Sequence, residues 1–174
     1  MSMAPFYTTD DIRRLLQAMR DELTWVGIKE LRTADDVENA FRDTTGTVLL
    51  VVNSVCGCAA GNARPGVALA LQNQRIPDRL YTVFAGQDVD ATMRARAFMP
   101  EQPPSSPSFL LFRDGKLIWY MHRHLIEGRD AQAVAADLIA AFNEHCSAPG
   151  PSVSPDIFAQ SPTGRFCGSR IPMS

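Results

Sequence analysis

An unbroken apolar run, VLLVV at residues 48–52, constrains this chain more than any other feature. A strand with one face in water alternates apolar and polar residues, whereas a strand covered on both faces is apolar throughout. Three of the five residues are valines, whose β-branched side chains favour strands. The run therefore predicts a central strand buried between two layers, and the dithiol sequence Cys56-Gly57-Cys58 follows it closely.

Helix and strand patterns alternate on both sides of this run. On its N-terminal side, Thr8 begins a helix with apolar residues at helical spacing, a short edge strand GIKEL follows, and Thr33 caps a second helix. The segment after the dithiol is also helical in pattern, and Pro65 either kinks that helix or occupies its first turn. Helices thus flank the central strand in the sequence.

The C-terminal half continues the alternation and ends with a hairpin and a helix. LYTVFAG is a second buried strand, a helix follows it, and Asp114-Gly115 is a strong hairpin signal between two strands. The final helix spans about 130–146. With the leading helix set aside, the order β-α-β-α-β-α-β-β-α is typical of the thioredoxin-like fold. We therefore expect an α/β protein with a central mixed sheet flanked by helices and an extra N-terminal helix.

Composition argues against some classes of function and separates a predicted domain from a C-terminal tail. The 174 residues are 45% hydrophobic and carry a net charge of −2, which gives no reason to expect nucleic acid or an anionic membrane as a partner. We find no leader sequence and no apolar stretch near the roughly 20 residues of a membrane span, so we expect a cytoplasmic protein. Residues 1–146 form the predicted domain. Residues 147–174 hold five Pro, six Ser and three Gly, which predicts a flexible tail that is either disordered or loosely docked.

The spacing of two cysteines indicates redox chemistry. A disulfide between Cys56 and Cys58 would close a small, strained ring, and strain makes a disulfide easier to reduce. Gly57 can adopt the unusual backbone that such a ring demands. If a helix begins near Cys58, its dipole favours a thiolate there. We expect Cys56 to be the nucleophile and Cys58 the resolving thiol, with the reverse order left open.

Two other interpretations of the cysteine pair remain open at this stage. Free cysteines often pack as small apolar residues, and the first alternative is that the pair is an incidental feature of the core. Soft thiolates also bind zinc or iron-sulfur clusters. A metal site needs further ligands, and the sequence has no second C-x-C or C-x-x-C motif. We therefore expect no bound metal.

The segments VVNSVCGCAAGNARP, SSPSFLLFRDGK and RHLIEGRD resemble the bacilliredoxin family, bacterial thioredoxin-fold proteins with a CGC motif. The resemblance covers roughly residues 8–146. It implies a thiol-disulfide oxidoreductase without a bound cofactor, whose co-substrate is the low-molecular-weight thiol bacillithiol and whose partners are bacillithiolated client proteins. Cys56 would take the small thiol from the client, and Cys58 or a second bacillithiol would release it. A general disulfide reductase or isomerase is the alternative.

Further residues are candidates for shaping the site or binding substrate. In thioredoxin-like folds a cis proline lies against the dithiol, a position that Pro107 matches, with Ser106 presenting its backbone to substrate; an ordinary proline at a strand start is the alternative. His122 and His124, with Arg123 between them, either bind a carboxylate-bearing thiol or are solvated residues at a strand end.

Three residues outside this group have less certain roles. Arg64, which follows the dithiol, has the same two interpretations as the histidines. Cys146 is expected roughly 25 Å from the dithiol, because the last helix rises about 1.5 Å per residue away from it. Cys167 lies in the predicted tail, where it is either an uncommitted thiol or one that returns to Cys56.

Overall fold

The computed structural model describes residues 7–163, which form a five-stranded mixed sheet with helices on both faces. The strands are β1 (Lys29–Glu30), β2 (Thr47–Asn53), β3 (Arg75–Ile76), β4 (Arg79–Phe84), β5 (Ser108–Arg113), β6 (Lys116–Met121) and β7 (Ala148–Pro149). The helices are α1 (Thr9–Thr24), α2 (Ala34–Arg42), α3 (Arg64–Ala70), α4 (Val89–Arg96), α5 (Ala131–His145) and α6 (Pro155–Gln160).

The central strand of the sheet is β2, as its apolar sequence predicts. The strand order is β1-β4-β2-β5-β6. β1, β4 and β2 are parallel, β5 runs antiparallel to β2, and β6 runs antiparallel to β5 and so has the direction of β2. Every residue of β2 is buried. This order, with a parallel half and an antiparallel hairpin around one central strand, is the thioredoxin-like fold, preceded here by the expected N-terminal helix.

Alternate side chains of β2 supply two separate cores. Leu49 and Val51 face α3 and α5, where Phe142 is among the fully buried residues. Leu50 and Val52 face the opposite layer, which α2 and α4 cover. Successive side chains of a strand point to opposite faces, so one apolar strand holds both helical layers to the sheet. Within residues 7–163, no helix is both long and apolar enough to cross a membrane.

Local signals in the sequence act where they were expected. Thr8 and Thr33 each close a capping box at the start of their helices. Asp114 and Gly115 both have positive φ angles, +49° and +79°, which the tight turn between β5 and β6 requires. Pro65 lies in the first turn of α3, one of the two places expected for it.

The N-terminal helix α1 is anchored by charge as well as by apolar contact. The buried guanidinium of Arg20 donates two hydrogen bonds to the Asp88 carboxylate, at 2.7 and 3.0 Å. Leu23 is fully buried, whereas Ile12 and Leu15 are about half exposed, at 49% and 48%. The apolar face predicted for α1 is thus only partly covered, because α1 has 16 residues and α3, against which it packs, has seven.

The segment after α5 differs from the flexible tail expected from composition. β7 pairs antiparallel with β3, and the Ser152 N–H donates to the Leu71 carbonyl at 2.9 Å. The Trp25 indole N–H donates to the Ile157 carbonyl, also at 2.9 Å. Residues 147–163 therefore dock on the domain, because their polar backbone finds specific partners that composition cannot reveal. Residues 164–174, including Cys167, lie outside the described residues, and the boundary at 146 stays a prediction.

Replacing Gly66 with alanine should destabilise the fold, because Gly66 lets α3 approach α5 closely. A Cβ atom at Gly66 would lie 2.8 Å from Cγ1 of Val134. We expect Gly66→Ala to lower the free energy of unfolding by about 1–3 kcal/mol, the usual cost of overpacking. Gly61→Ala is the matched control, since a Cβ there meets nothing within 4 Å. Denaturant unfolding that shows equal stability for the two variants would contradict this packing.

Candidate redox site

The dithiol lies where the central strand passes into a helix. β2 ends at Asn53, Gly57 and Cys58 already have helical backbone, and a π-helical turn at Ala59–Ala63 leads directly into α3. The carbonyl of Cys56 accepts hydrogen bonds from the N–H groups of the first two residues of that turn, at 3.1 and 3.2 Å. The thiols therefore lie at the carboxyl end of β2 and at the positive end of a helix, as predicted.

The two thiols have different acidities. Both cysteines are free and partly exposed. Burial opposes ionisation of Cys56, but hydrogen bonds from the Cys58 thiol and the Ser54 hydroxyl hold the pKa of Cys56 below its ordinary value. The Ala59 N–H and the charge of Arg123 act in the same direction. Burial and the neighbouring Cys56 sulfur instead raise the pKa of Cys58. Cys56 is thus the thiol that ionises first.

In the reduced form of the site, nothing steric requires a glycine at position 57. The backbone of Gly57 is helical, the residue is exposed, and a Cβ atom built on it meets nothing within 4 Å. The unusual backbone expected of Gly57 would concern the closed Cys56–Cys58 ring, so that expectation stays a prediction.

Arg64 is buried, with an exposed fraction of 2%, and contacts the backbone that leads into the dithiol. Its Nη1 donates to the Ser54 carbonyl at 2.9 Å and to Oδ1 of Asn53 at 3.2 Å. Its Nε donates to the Glu22 carboxylate of α1 at 2.7 Å. The interpretation of Arg64 as a solvated residue is therefore wrong, and its contacts fit a site-shaping role instead of direct contact with substrate.

The loop before β5 lies beside the dithiol loop. The Ser106-Pro107 peptide bond is cis, as the position of Pro107 favoured. Ser108 pairs with Val52, so the antiparallel register leads Pro107 and Ser106 toward the residues that follow β2. The Ser108 hydroxyl donates to the Ser105 carbonyl at 2.9 Å, which ties the loop to the start of its strand. The sequence-predicted residues Ser106 and Pro107 thus adjoin the dithiol loop.

A cleft of about 420 Å³ opens between the loop before β5 and the segment that follows β6. Its lining includes Ser105, Ser106, His122, Arg123, His124 and Glu127. The rings of Tyr120, His122 and His124 follow one another, with centroid separations of 3.8 and 5.3 Å. The two histidines therefore line the same cleft, His122 half-buried and His124 exposed, and their binding role stays a prediction.

Glu127 is a site residue that the sequence did not single out. It lines the cleft and accepts a hydrogen bond from Nε of Arg123 at 2.5 Å. The four-residue spacing within RHLIEGRD is the signal that could have revealed this pair, because such residues are neighbours on one helical turn. The hydroxyl of Ser54 also accepts a hydrogen bond from the Cys56 N–H at 3.3 Å.

The third described cysteine lies far from this site. Cys146 is buried, and burial is the main cause that raises its pKa to about 11. It neighbours Thr47, the first residue of β2, whereas the dithiol follows the last residue of that strand. Seven residues of strand separate the two ends by roughly 20 Å, in agreement with the expected separation. Cys146 therefore cannot exchange directly with the dithiol.

Comparisons with known proteins give a consistent result. A profile of the family described as "Disulphide isomerase" matches residues 12–146. A bacilliredoxin of Salinibacter ruber is 52% identical over 136 residues, covering 77% of this chain and 80% of its own. Bacilliredoxin GK2368 of Geobacillus kaustophilus is 52% identical over 132 residues, with 76% and 90% covered. The solved thioredoxin of Malassezia sympodialis aligns with a TM-score of 0.42 at 18% identity, with 68% and 90% covered.

Alkylation should distinguish the three described cysteines by their acidity. Because only the thiolate reacts, we expect iodoacetamide to label Cys56 at lower pH than Cys58. Cys146 should stay unlabelled until the protein is unfolded. Peptide mass spectrometry across a pH series measures all three together, with the unfolded protein as control for intrinsic reactivity. Simultaneous labelling of Cys56 and Cys58 at every pH would show that the thiols are equivalent.

Proposed function

Because the chain belongs to the bacilliredoxin family, we propose that it is a thiol-disulfide oxidoreductase that removes bacillithiol from mixed disulfides on proteins. A redox function follows from the family itself, while the substrate and the order of the steps are the proposal. The observation that carries it is the unequal thiol pair at the carboxyl end of β2, in which the pKa of Cys56 is lowered and that of Cys58 is raised. Such a pair supplies one nucleophile and one reserve thiol.

The first step transfers the small thiol from the client to the protein. The Cys56 thiolate attacks the bacillithiol sulfur of the mixed disulfide, a new bond forms between these two sulfurs, and the client leaves as a thiolate that takes up a proton. The client is reduced, and Cys56 carries the mixed disulfide. The hydrogen bond from the Ser54 hydroxyl and the positive charge of Arg123 both support the thiolate that makes this attack.

The second step releases bacillithiol, and two routes are consistent with the site. In one, Cys58 loses its proton and attacks Sγ of Cys56, which closes the ring and expels bacillithiol as a thiolate. In the other, a second bacillithiol attacks the bound one, which yields bacillithiol disulfide and restores the Cys56 thiolate. Neither route needs a bound cofactor, because the thiols carry the electrons. A reducing compartment such as the cytoplasm fits both.

A general protein disulfide reductase or isomerase is the second candidate function, favoured by the description of the matching family profile. Substrate preference separates the two. If the proposal is correct, a bacillithiolated reporter protein is reduced faster than an interchain protein disulfide such as that of insulin. We expect a ratio of rates of at least about tenfold, which corresponds to about 1.4 kcal/mol of preference. A ratio that favours the interchain disulfide would support the isomerase alternative.

Non-catalytic metal binding has less support. Among residues 7–163, no group of three or more His, Cys, Asp or Glu side chains is arranged to hold a metal ion. The two thiolates alone supply only half of a tetrahedral zinc site. Stoichiometric zinc or iron in the native mass spectrum of the reduced protein, lost in Cys56→Ser, would support this alternative over redox exchange.

Single cysteine variants test the assigned roles. Cys58→Ser keeps the nucleophile and removes the intramolecular route, so we expect it to accumulate bacillithiol on Cys56 after exposure to a bacillithiolated reporter. Cys56→Ser is the matched variant and should release no reporter. Intact mass and peptide mapping identify the modified residue. If the adduct forms on Cys58 in Cys56→Ser and none forms in Cys58→Ser, the two roles are reversed.

A further inference from the structure

Two oppositely charged side chains line the cleft, and the proposed steps assign a role to only one of them. Arg123 and Glu127 both line it and form an ion pair across one helical turn, with Nε and Oε1 at 2.5 Å. Arg123 is held in place by its own backbone, whose N–H donates to the Ser105 hydroxyl at 2.8 Å. Arg123 thus contacts Ser105 and Ser106 in the loop that adjoins the dithiol loop, and its charge acts on both thiols. A carboxylate of the same chain is already bound to it.

Exposure makes this ion pair easy to exchange. The side chains of Arg123 and Glu127 are 46% and 49% exposed, so water screens their attraction. Exposed ion pairs at this spacing contribute little to stability. A carboxylate from a ligand that is tethered nearby can therefore replace Glu127 at little cost. An arginine side chain has several N–H donors, and a second contact of the Arg123 guanidinium, from Nη1 to the Ser106 carbonyl, is long at 3.4 Å.

The reaction itself supplies such a tether. While Cys56 carries the mixed disulfide, the small thiol is bound covalently beside Arg123, whose charge acts on both Cys56 and Cys58. A carboxylate a few bonds from the sulfur then has a high effective concentration at the guanidinium. A neutral or cationic small thiol gains nothing from this contact.

We propose that Arg123 selects small thiols that carry a carboxylate, and that Glu127 occupies the same position on Arg123 while the cleft is empty. This inference rests on the proposed thiol exchange at Cys56. Arg123 then has two effects: it favours the Cys56 thiolate whatever the substrate, and it binds the charged end of the departing small thiol. The first effect changes all rates together, whereas the second changes only their ratios.

The test uses one reporter protein carrying three small thiols in mixed disulfide: 3-mercaptopropionate, which is anionic, 2-mercaptoethanol, which is neutral, and cysteamine, which is cationic. Release of the reporter thiol gives kcat/KM for each, and each value is divided by the rate with dithiothreitol to remove intrinsic differences in reactivity. At low ionic strength we expect the wild-type protein to favour the anionic thiol over the cationic one on the order of tenfold. Salt should reduce this preference.

Variants separate the contributions of the two residues. Arg123→Gln should slow all three reactions and abolish the preference, and Arg123→Lys should restore much of it. Glu127→Gln should raise the preference for the anionic thiol, mainly through a lower KM, because the internal competitor is gone. Lys116→Gln is the matched control, since it removes one positive charge at the far end of β6.

The outcomes distinguish this inference from the proposed function. If the wild-type protein releases the reporter from none of the three disulfides, the proposed function fails and the inference falls with it. If release occurs with equal corrected rates, or if Lys116→Gln changes the preference as much as Arg123→Gln, exchange stands and selection by Arg123 is overturned. A lower anionic preference in Glu127→Gln would overturn the role of Glu127.

Discussion

The buried guanidinium of Arg64 is the interaction on which the geometry of the site depends. It joins the end of β2, through Asn53 and the Ser54 carbonyl, to Glu22 of the N-terminal helix. Removing one partner of such a buried pair costs about 3–5 kcal/mol, because the other charge is left without compensation. The Arg64 contact therefore holds the backbone of the segment that carries the dithiol. The thiols can remain partly exposed while the backbone around them stays in place.

This arrangement gives two chemically identical side chains different acidities. Cys56 receives hydrogen bonds from the Ser54 hydroxyl and the Ala59 N–H, both of which belong to the segment that Arg64 holds. Cys58 lies one residue further into the helix and faces the sulfur of Cys56, which opposes its ionisation. The acidities of the two thiols thus differ mainly because their local hydrogen bonds differ. The proposed roles of nucleophile and resolving thiol rest on this difference.

The sequence predicts the order of elements well because that order depends on local patterns. Continuous apolar residues mark β2, Thr33 caps a helix, and Asp114-Gly115 makes a turn, each by short-range physics. Burial of Arg64 was not predictable, because its partner Glu22 is 42 residues away in the chain. The particular contacts of residues 147–163 were not predictable for the same reason, since tertiary hydrogen bonds hold a segment whose composition is typical of flexible chain.

Two arginine-glutamate pairs in this protein show how burial assigns different tasks to the same chemistry. The Arg64 and Glu22 side chains are 2% and 21% exposed, so their pair is costly to break and fixes structure. The Arg123 and Glu127 side chains are nearly half exposed, and their attraction is comparable to thermal energy. A binding group must be able to release its internal partner when a ligand arrives. Only the exposed pair meets that condition, and it is the one that lines the cleft.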